Sequence, residues 1–471
     1  MGPARALEFA RRNRLRFVDE LKHFLRFPSI SSQARHAKDV AGCADWLADH
    51  LQRIGLLRVK LIRSPGHPIV YADWMGVPGA PIVLIYGHYD VVPAEPLKEW
   101  ISPPFTPNIR GNDLYGRGAC DDKGQLFVHL KALESYLRAE RALPVNVKCI
   151  FEGEEEIASP NLAPFLLRNQ RALHSNVAVI SDTKMLGPGR PAISYSQRGV
   201  LSMELEVRGP QKDLHSGSFG GAIHNPIQAI CEIIARLHDD QRRVAVPGFY
   251  ARVRPANREE RKNMARTGPC DKNVLNTAGV EQSWGEPGYS LYERTTLRPA
   301  LTINGITGGY QGPGGKGIIP ARAQAKLSFR LVPGQDPREI ERLVEKHIAA
   351  ITPPTVISHL RTLGTARPVI VNFNGPFHRI ARAAYQSGFG ATPVFVRSGG
   401  TIPIVSTLHD VFRIPTVLMG FALPDDHIHA PNEKLHLPNF HAGIRTSISF
   451  LARVGCMGRR NVCERQFELS L

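Results

Sequence analysis

Acidic residues and histidines recur at the ends of short apolar runs in this sequence. Four such groups follow apolar runs, and one opens a stretch of helical periodicity. The five groups are Gly87-His88-Tyr89-Asp90, Asp121-Asp122, Glu152-Gly153-Glu154-Glu155-Glu156, Asp182 and Asp426-His427-Ile428-His429. Each has an ordinary explanation alone, as a loop histidine, a helix cap or a solvated acidic surface. Five coincidences of this kind indicate a site that needs both residue types.

Metal binding is the chemistry that such a collection supports. Clustered carboxylates repel one another unless cations neutralise them. Two histidines, two aspartates and one glutamate suit zinc, and manganese or cobalt could also bind. A carboxylate that bridges two ions would place them about 3.5–4 Å apart. Asp90 stands two residues after His88, a spacing that allows its carboxylate to hold the imidazole and fix its tautomer.

The apolar runs predict the elements that position these residues. Residues 81–86, 146–151, 176–181 and 415–421 have the length of buried strands. Between the first two, Lys123 to Arg138 places leucines at helical spacing. A strand, a helix and a strand form the crossover of an open, mostly parallel α/β sheet. In such sheets the ligand crevice lies beyond the carboxyl ends of the strands.

A different pattern occupies the middle of the chain. Residues 201–208 and 323–330 alternate strictly between apolar and polar, which indicates a sheet with one exposed face. Helical stretches follow at 225–237 and 337–349, whereas residues 245–300 show no assignable pattern. We therefore predict an α/β catalytic domain in two parts, residues 1–198 and 367–471, interrupted by an inserted α+β domain at 199–366.

Composition limits the function classes. The 471 residues carry a formal net charge of +17, but the arginines are dispersed, so nucleic-acid binding is not predicted. Apolar runs are too short for a membrane span. The arginine-rich start leads into a helical stretch at 15–27, and the seven scattered cysteines contain no CxxC pair. A folded first helix and a cytoplasmic, reducing location are expected.

Five motifs in order resemble those of the M20 family of dipeptidases and amino-acid deacylases. The resemblance covers most of the chain, and the long insertion is most similar to the carnosine-dipeptidase branch. The motifs are Gly87-His88-Tyr89-Asp90-Val91-Val92-Pro93, Gly116-Arg117-Gly118-Ala119-Cys120-Asp121-Asp122-Lys123-Gly124, Glu152-Gly153-Glu154-Glu155-Glu156, Asp213-Leu214-His215-Ser216-Gly217 and His429-Ala430-Pro431-Asn432-Glu433.

The resemblance implies a role for each matching residue. His88 and Asp182 would hold one of two divalent metal ions, Glu155 and His429 the other, and Asp121 would bridge them. Glu154 would be the general base that takes a proton from water and passes it to the leaving nitrogen, and Asp90 would support His88. His215 would stabilise the oxyanion from a partner subunit, which implies a homodimer with an inserted domain that serves as lid and dimerisation domain.

Substrate recognition follows from the same resemblance. Arg330 would contact a substrate carboxylate, and Gly400 and Thr401 would receive it through backbone amides and a hydroxyl. Thr401 stands where carnosine-type members usually have serine, and Gly317 stands where they carry threonine, a change that bears on substrate preference.

The leading functional hypothesis is metal-dependent hydrolysis of dipeptides with a free C-terminal carboxylate. An N-acyl-amino-acid deacylase is the alternative, because both activities attack the same bond. A non-catalytic metal-binding scaffold is a third hypothesis from a different class.

Overall fold

The computed structural model describes residues 2–457, and within them the chain divides into two compact units. The first comprises residues up to 195 together with 371–396 and the segment from 404 onward. The second comprises residues 196–370 and 397–403, where the sequence predicts an insertion at 199–366. The C-terminal tail beyond residue 457, for which no pattern was found in the sequence, lies outside the described residues.

Strands occur in both units. In chain order they are β1 Lys60–Ile62, β2 Ile69–Trp74, β3 Ile82–His88, β4 Asn108–Arg110, β5 Asp113–Tyr115, β6 Asn146–Glu152, β7 Val177–Ile180, β8 Ala192–Gln197, β9 Gly199–Arg208, β10 Leu214–His215, β11 Ala300–Gly308, β12 Ile318–Ile319, β13 Arg322–Leu331, β14 Ile357–Ala366, β15 Val369–Ile370, β16 Val394–Arg397, β17 Thr416–Met419 and β18 Lys434–His436.

The helices include the crossover predicted after the first buried strand. They are α1 Ala4–Arg12, α2 Arg14–Leu25, α3 Ala37–Ile54, α4 Lys123–Glu140, α5 Leu162–Arg168, α6 Ser216–Phe219, α7 Pro226–Ala235, α8 Arg258–Thr267, α9 Asp271–Ala278, α10 Leu291–Thr296, α11 Pro337–Ile351, α12 Pro376–Phe389, α13 Pro403–Asp410 and α14 Leu437–Gly455. Short 3-10 turns add Ala34–His36, Leu97–Glu99 and Glu155–Ile157.

The first unit is built on a sheet whose central strands are parallel. Its strands run in the order β1-β2-β6-β3-β7-β17-β8. β3 is parallel to β6 and to β7, and β17 is parallel to β7, whereas β2 and β8 are antiparallel to their neighbours. The predicted α/β class and mostly parallel sheet are confirmed. Because four adjacent strands run the same way, their carboxyl ends meet at one edge.

Burial on both faces explains the continuous apolar runs. Every residue of β6 is buried, and α4 has a long series of buried residues that begins at its first position, Lys123. The close approach of α4 to β3 requires glycine at position 87. A Cβ on Gly87 would lie 2.8 Å from Asp122 Oδ2 and 2.9 Å from Leu126 Cδ1, closer than non-bonded atoms tolerate.

The second unit contains a four-stranded antiparallel sheet in the order β11-β13-β9-β14. Alternate residues of β9 and β13 are buried, as the alternating pattern predicts, and they pack with α7 and α11 in one apolar core. The stretch 245–300, which the sequence left unassigned, contains α8, α9 and α10.

In the described part of the chain, no helix combines the length and the apolar character needed to cross a membrane.

Candidate metal centre

His88 ends β3 and is completely buried. Its Nε2 lies 3.0 Å from Asp121 Oδ1. Its Nδ1 lies 3.2 Å from the carbonyl oxygen of Asp90 and 3.3 Å from Asp90 Oδ1. The two-residue spacing noted in the sequence therefore brings the Asp90 carboxylate against the imidazole. With Nδ1 held in this way, Nε2 is the nitrogen available to a metal ion.

Asp121 stands between two histidines. It directly precedes Asp122, the N-cap residue of α4, whose side chain accepts no hydrogen bond from the first turn of that helix. Asp121 Oδ2 lies 3.0 Å from His429 Nε2, while Oδ1 faces His88. The carboxylate thus presents one oxygen to each imidazole, which is the arrangement a bridging ligand requires.

Two groups of metal-ligand type share Asp121. The first contains His88, Asp121 and Asp182, and the second contains Asp121, Glu156 and His429. Within each group, the candidate ligand atoms all lie within 4.8 Å of one another. These residues come from β3, the entry to α4, and the loops after β6, β7 and β17. The edge of the sheet predicted to carry the site therefore brings them together.

His429 is presented by a loop with an unusual backbone. His427, His429 and Asn432 have φ values of 53°, 64° and 62°, in the left-handed region, which residues other than glycine seldom adopt. Such conformations persist where the surrounding structure holds them. Here they turn the His429 side chain so that Nε2 also lies 3.2 Å from Glu156 Oε1.

In the glutamate triplet, the residue that the structure groups with the metal ligands lies one position after the residue predicted from the sequence. Glu155, predicted as a ligand, belongs to neither group, whereas Glu156 does. Glu154, predicted as the general base, accepts hydrogen bonds from Asn161 Nδ2 at 2.9 and 3.0 Å and from the His67 amide at 2.9 Å. Its carboxylate is therefore occupied by structural partners. Three consecutive glutamates contain no pattern from which to choose among them.

Asp90 sets the position of the triplet. Its carboxylate accepts the backbone N–H of Glu155 at 3.2 Å and of Glu156 at 3.1 Å. Because Asp90 also contacts His88, one buried carboxylate aligns residues from both ligand groups. This second contact carries no signature in the sequence.

Burial and neighbouring charges raise the pKa values of four donors, the two histidines and the acids Glu156 and Asp182. Burial disfavours a charged His429, but hydrogen bonds to Asp121 and Glu156 raise its pKa to about 11. His88 is affected in the same sense: despite its burial, Asp121 and Asp90 raise its pKa well above the usual value. Burial and the Asp121 charge raise the pKa values of Glu156 and Asp182 to about 7.

This donor set suits divalent metal ions. Imidazole nitrogens and carboxylate oxygens are the ligands of catalytic zinc sites and of related di-metal sites. Without a cation, Glu156 and Asp182, whose pKa values lie at about 7, are partly protonated at neutral pH, and both imidazoles are held charged. Cations held by the shared carboxylate would replace those protons.

The predicted substrate-binding residues lie in the second unit. Arg330 Nη1 donates to Thr401 Oγ1 at 2.9 Å, and Thr401 Oγ1 donates to the carbonyl of Arg198 at 2.6 Å. The Arg198 amide donates to the Gly400 carbonyl at 3.2 Å. The structure thus brings Arg330, Gly400 and Thr401 together, and it adds Arg198, which the sequence analysis did not single out.

Arg198 contributes a second positive charge to this cluster. Burial and the nearby charge of Arg330 lower its pKa to about 9. Two guanidinium groups that repel one another favour an anion between or beside them. His215 lies elsewhere in the same unit, where its Nδ1 accepts the amide of Gly217 at 3.1 Å.

The fold and the site together define a class of protein. A parallel sheet whose carboxyl-end loops supply two metal-ligand groups with a shared aspartate is the framework of a metal-dependent hydrolase.

Comparison with known proteins specifies the family. The sequence matches peptidase family M20/M25/M40 over residues 84–453. It is 32% identical to the Beta-Ala-His dipeptidase of Rattus norvegicus over 92% of each chain. It is 30% identical to the Cys-Gly metallodipeptidase dug1 of Schizosaccharomyces pombe over 92% of this chain and 94% of the relative. The solved structure of the di-peptidase Dug1p from Saccharomyces cerevisiae superposes with a TM-score of 0.90 at 25% identity, covering 97% of this chain and 99% of that one. The chain belongs to peptidase family M20/M25/M40, and the predicted enzyme class, a metallopeptidase, is confirmed.

The protonation of the donors makes metal binding dependent on pH. Ions displace protons from His88, His429, Glu156 and Asp182, so metal affinity should rise with pH. If at least one proton is released per ion, raising the pH from 6 to 8 should strengthen binding about 100-fold or more. Calorimetric titration of metal-free protein in buffers of different ionisation enthalpy measures both affinity and proton release. Affinity that does not change between these pH values would contradict the assignment of these donors.

Proposed function

We propose that this protein is a dipeptidase that hydrolyses the amide bond of dipeptides with a free C-terminal carboxylate. The observation that carries the proposal is the shared carboxylate of Asp121. Its Oδ1 lies 3.0 Å from His88 Nε2, and its Oδ2 lies 3.0 Å from His429 Nε2. Relatives named as dipeptidases, matched over almost the whole chain, support the dipeptide as the substrate class.

Two divalent ions, with zinc as the proposed metal, would occupy the two groups of donors. His88 and Asp182 would hold one ion, Glu156 and His429 the other, and Asp121 both. When bound, such ions lower the pKa of a coordinated water towards neutrality and polarise the scissile carbonyl. Manganese or cobalt would also suit these ligands, and metal analysis of the protein as purified decides among them.

We assign the general base to Glu155. Its carboxylate makes no hydrogen bond or ion pair with another residue of the described chain, in contrast to that of Glu154. Burial, together with the negative charges of Glu156 and Asp182, raises its pKa well above the usual value. A carboxylate of increased basicity can accept the proton of the attacking water and return it to the leaving nitrogen.

The substrate carboxylate would be bound by Arg330, Thr401 and the amides around Gly400. The positive charges of Arg198 and Arg330 support this role, since burial and the charge of Arg330 together lower the pKa of Arg198 to about 9, and an anion bound there would favour both charged guanidinium groups. A charge-assisted contact of this kind holds one end of a dipeptide. Oxyanion stabilisation would come from His215 of a second subunit in a homodimer.

Hydrolysis assays with chelator-treated protein and added zinc, manganese or cobalt test the proposal. Dipeptides with a free carboxylate should be cleaved, and the same peptides with an amidated C-terminus should react much more slowly. Cleavage of N-acyl amino acids without cleavage of dipeptides would establish the deacylase alternative. No turnover with any of the three metals would favour the non-catalytic scaffold.

Substitution of each glutamate in turn distinguishes ligand from base. Glu156→Gln should lose about one metal ion per chain, because it removes an anionic ligand. Glu155→Gln should retain both ions while kcat falls by about 100-fold or more, since general base catalysis contributes roughly 10²–10⁴-fold. Metal content and turnover are measured on the same preparations.

Glu154→Gln is the matched control, because it keeps the size of the side chain and lies next to Glu155. It should retain both ions and most activity. Loss of turnover in Glu154→Gln with full activity in Glu155→Gln would restore the assignment made from the sequence.

Arg330→Met should raise KM for dipeptides by about 10-fold or more, because one charge-assisted hydrogen bond is lost. The change in kcat should be much smaller. Steady-state kinetics on free and amidated dipeptides measure the change. Equal effects on both substrates would show that Arg330 does not contact the carboxylate.

The partner-supplied histidine has a direct test. A mixture of His215→Ala and Glu155→Gln chains should recover part of the activity, because one of the two sites in a mixed dimer contains both intact residues. Mixed dimers that remain inactive would argue against sharing, and a chain that sedimented as an active monomer would exclude it.

A further inference from the structure

Glu433 connects two of the segments that carry proposed metal ligands. It is 1% exposed, and its carboxylate receives four hydrogen bonds from residues 117–121. Oε2 accepts Arg117 Nη1 at 2.8 Å and the Gly118 amide at 2.9 Å. Oε1 accepts the amides of Cys120 and Asp121 at 2.9 and 3.0 Å. The carboxylate is therefore fully enclosed by donors on the segment that ends at Asp121.

The backbone of Glu433 belongs to the other segment. It lies four residues after His429, just beyond the left-handed turn at Asn432. Its own carbonyl accepts the Gly116 amide at 3.0 Å. Both the main chain and the side chain of Glu433 thus attach the His429 loop to the Asp121 segment.

The connection cannot be released at low cost. Arg117 is itself 1% exposed, and its guanidinium donates to the Pro93 carbonyl at 3.2 Å and lies 5.3 Å from the centre of the Trp100 ring. Removing one partner of a buried ion pair leaves the other charge uncompensated. Asp121 is therefore held through its backbone, while its two carboxylate oxygens remain directed at His88 and His429.

We propose that Glu433 is a positioning residue that sets the separation of Asp121 and His429, and with it the affinity for the ion that these two residues share with Glu156. The inference rests on the metal assignment proposed above. In the described chain, no hydrogen bond or ion pair joins Glu433 to the side chain of a candidate metal ligand, so its effect is transmitted through the backbone.

Glu433→Gln isolates this effect. The amide would present an NH₂ group to backbone donors and would lose the charge that pairs with Arg117. Affinity for the zinc ion held by Asp121, Glu156 and His429 should fall by about 10–100-fold, the usual range for residues that orient metal ligands. The His88–Asp182 ion should be affected less. At saturating zinc, KM for a dipeptide should be unchanged.

Asp113→Asn is the matched control. Asp113 is a carboxylate that binds Lys434 Nζ at 3.1 Å and His436 Nδ1 at 2.7 Å, one and three residues beyond Glu433. Its substitution also removes a charged contact of strand β18, yet it should leave both zinc affinities unaltered. Arg117→Lys is the second variant, which keeps a positive charge and should shift affinity in the same direction as Glu433→Gln but by less.

The measurement is competition for zinc between the intact protein and a chromophoric chelator, with thermal unfolding of the metal-free forms recorded in parallel. Weaker binding in Glu433→Gln and Arg117→Lys, but not in Asp113→Asn, would support the proposal. Unchanged affinity in Glu433→Gln, or equal losses in Glu433→Gln and Asp113→Asn in step with stability, would overturn it. A wild-type chain that bound no zinc would instead refute the metal assignment of the proposed function.

Discussion

The mutual repulsion of buried carboxylates is the constraint on which the rest of this structure depends. Asp121, Asp182, Glu155 and Glu156 converge on one edge of the sheet, and burial together with their proximity raises the pKa values of three of them. Asp121 is the exception, because contacts with His429 and His88 outweigh its burial and lower its pKa below the usual range. The site thus has an ionised carboxylate at its centre and acids of raised pKa around it. Such an arrangement suits the binding of cations.

In this fold, the residues that hold the site in place are different from the residues that would bind metal. Parallel strands deliver the side chains to one edge, and buried residues that bind no metal then fix their directions. Asp90 aligns His88 with the glutamate turn, and Glu433 aligns Asp121 with the loop of His429. Neither support depends on a flexible exposed side chain, since both residues are almost wholly buried. Rigid support of this kind is what catalytic geometry requires.

Sequence reasoning located the strand ends because buried strands leave continuous apolar runs. It therefore placed His88, Asp121, Asp182 and His429 at the same edge, and the structure groups their side chains there. It predicted Glu154 as base and Glu155 as ligand, the roles that we propose for Glu155 and Glu156. The sequence does not show the hydrogen bonds that Glu154 accepts from Asn161 and from the His67 amide, which is remote in the chain. The sequence does not predict that residues 397–403 pack in the second unit, since this depends on long-range contacts. The helices within 245–300 were also not predicted, because polar residues there obscure the helical spacing of apolar residues.

The bonds from Asp90 to the glutamate turn have a further consequence for how this site can change over evolutionary time. Asp90 recognises main-chain N–H groups, which every residue except proline possesses, and is indifferent to the side chains at positions 155 and 156. The backbone path of the turn therefore does not depend on which side chains stand at positions 155 and 156. Replacements at these two positions can alter the reaction, or abolish it, without displacing the frame around them, so the scaffold can survive the loss of one activity and remain available for another.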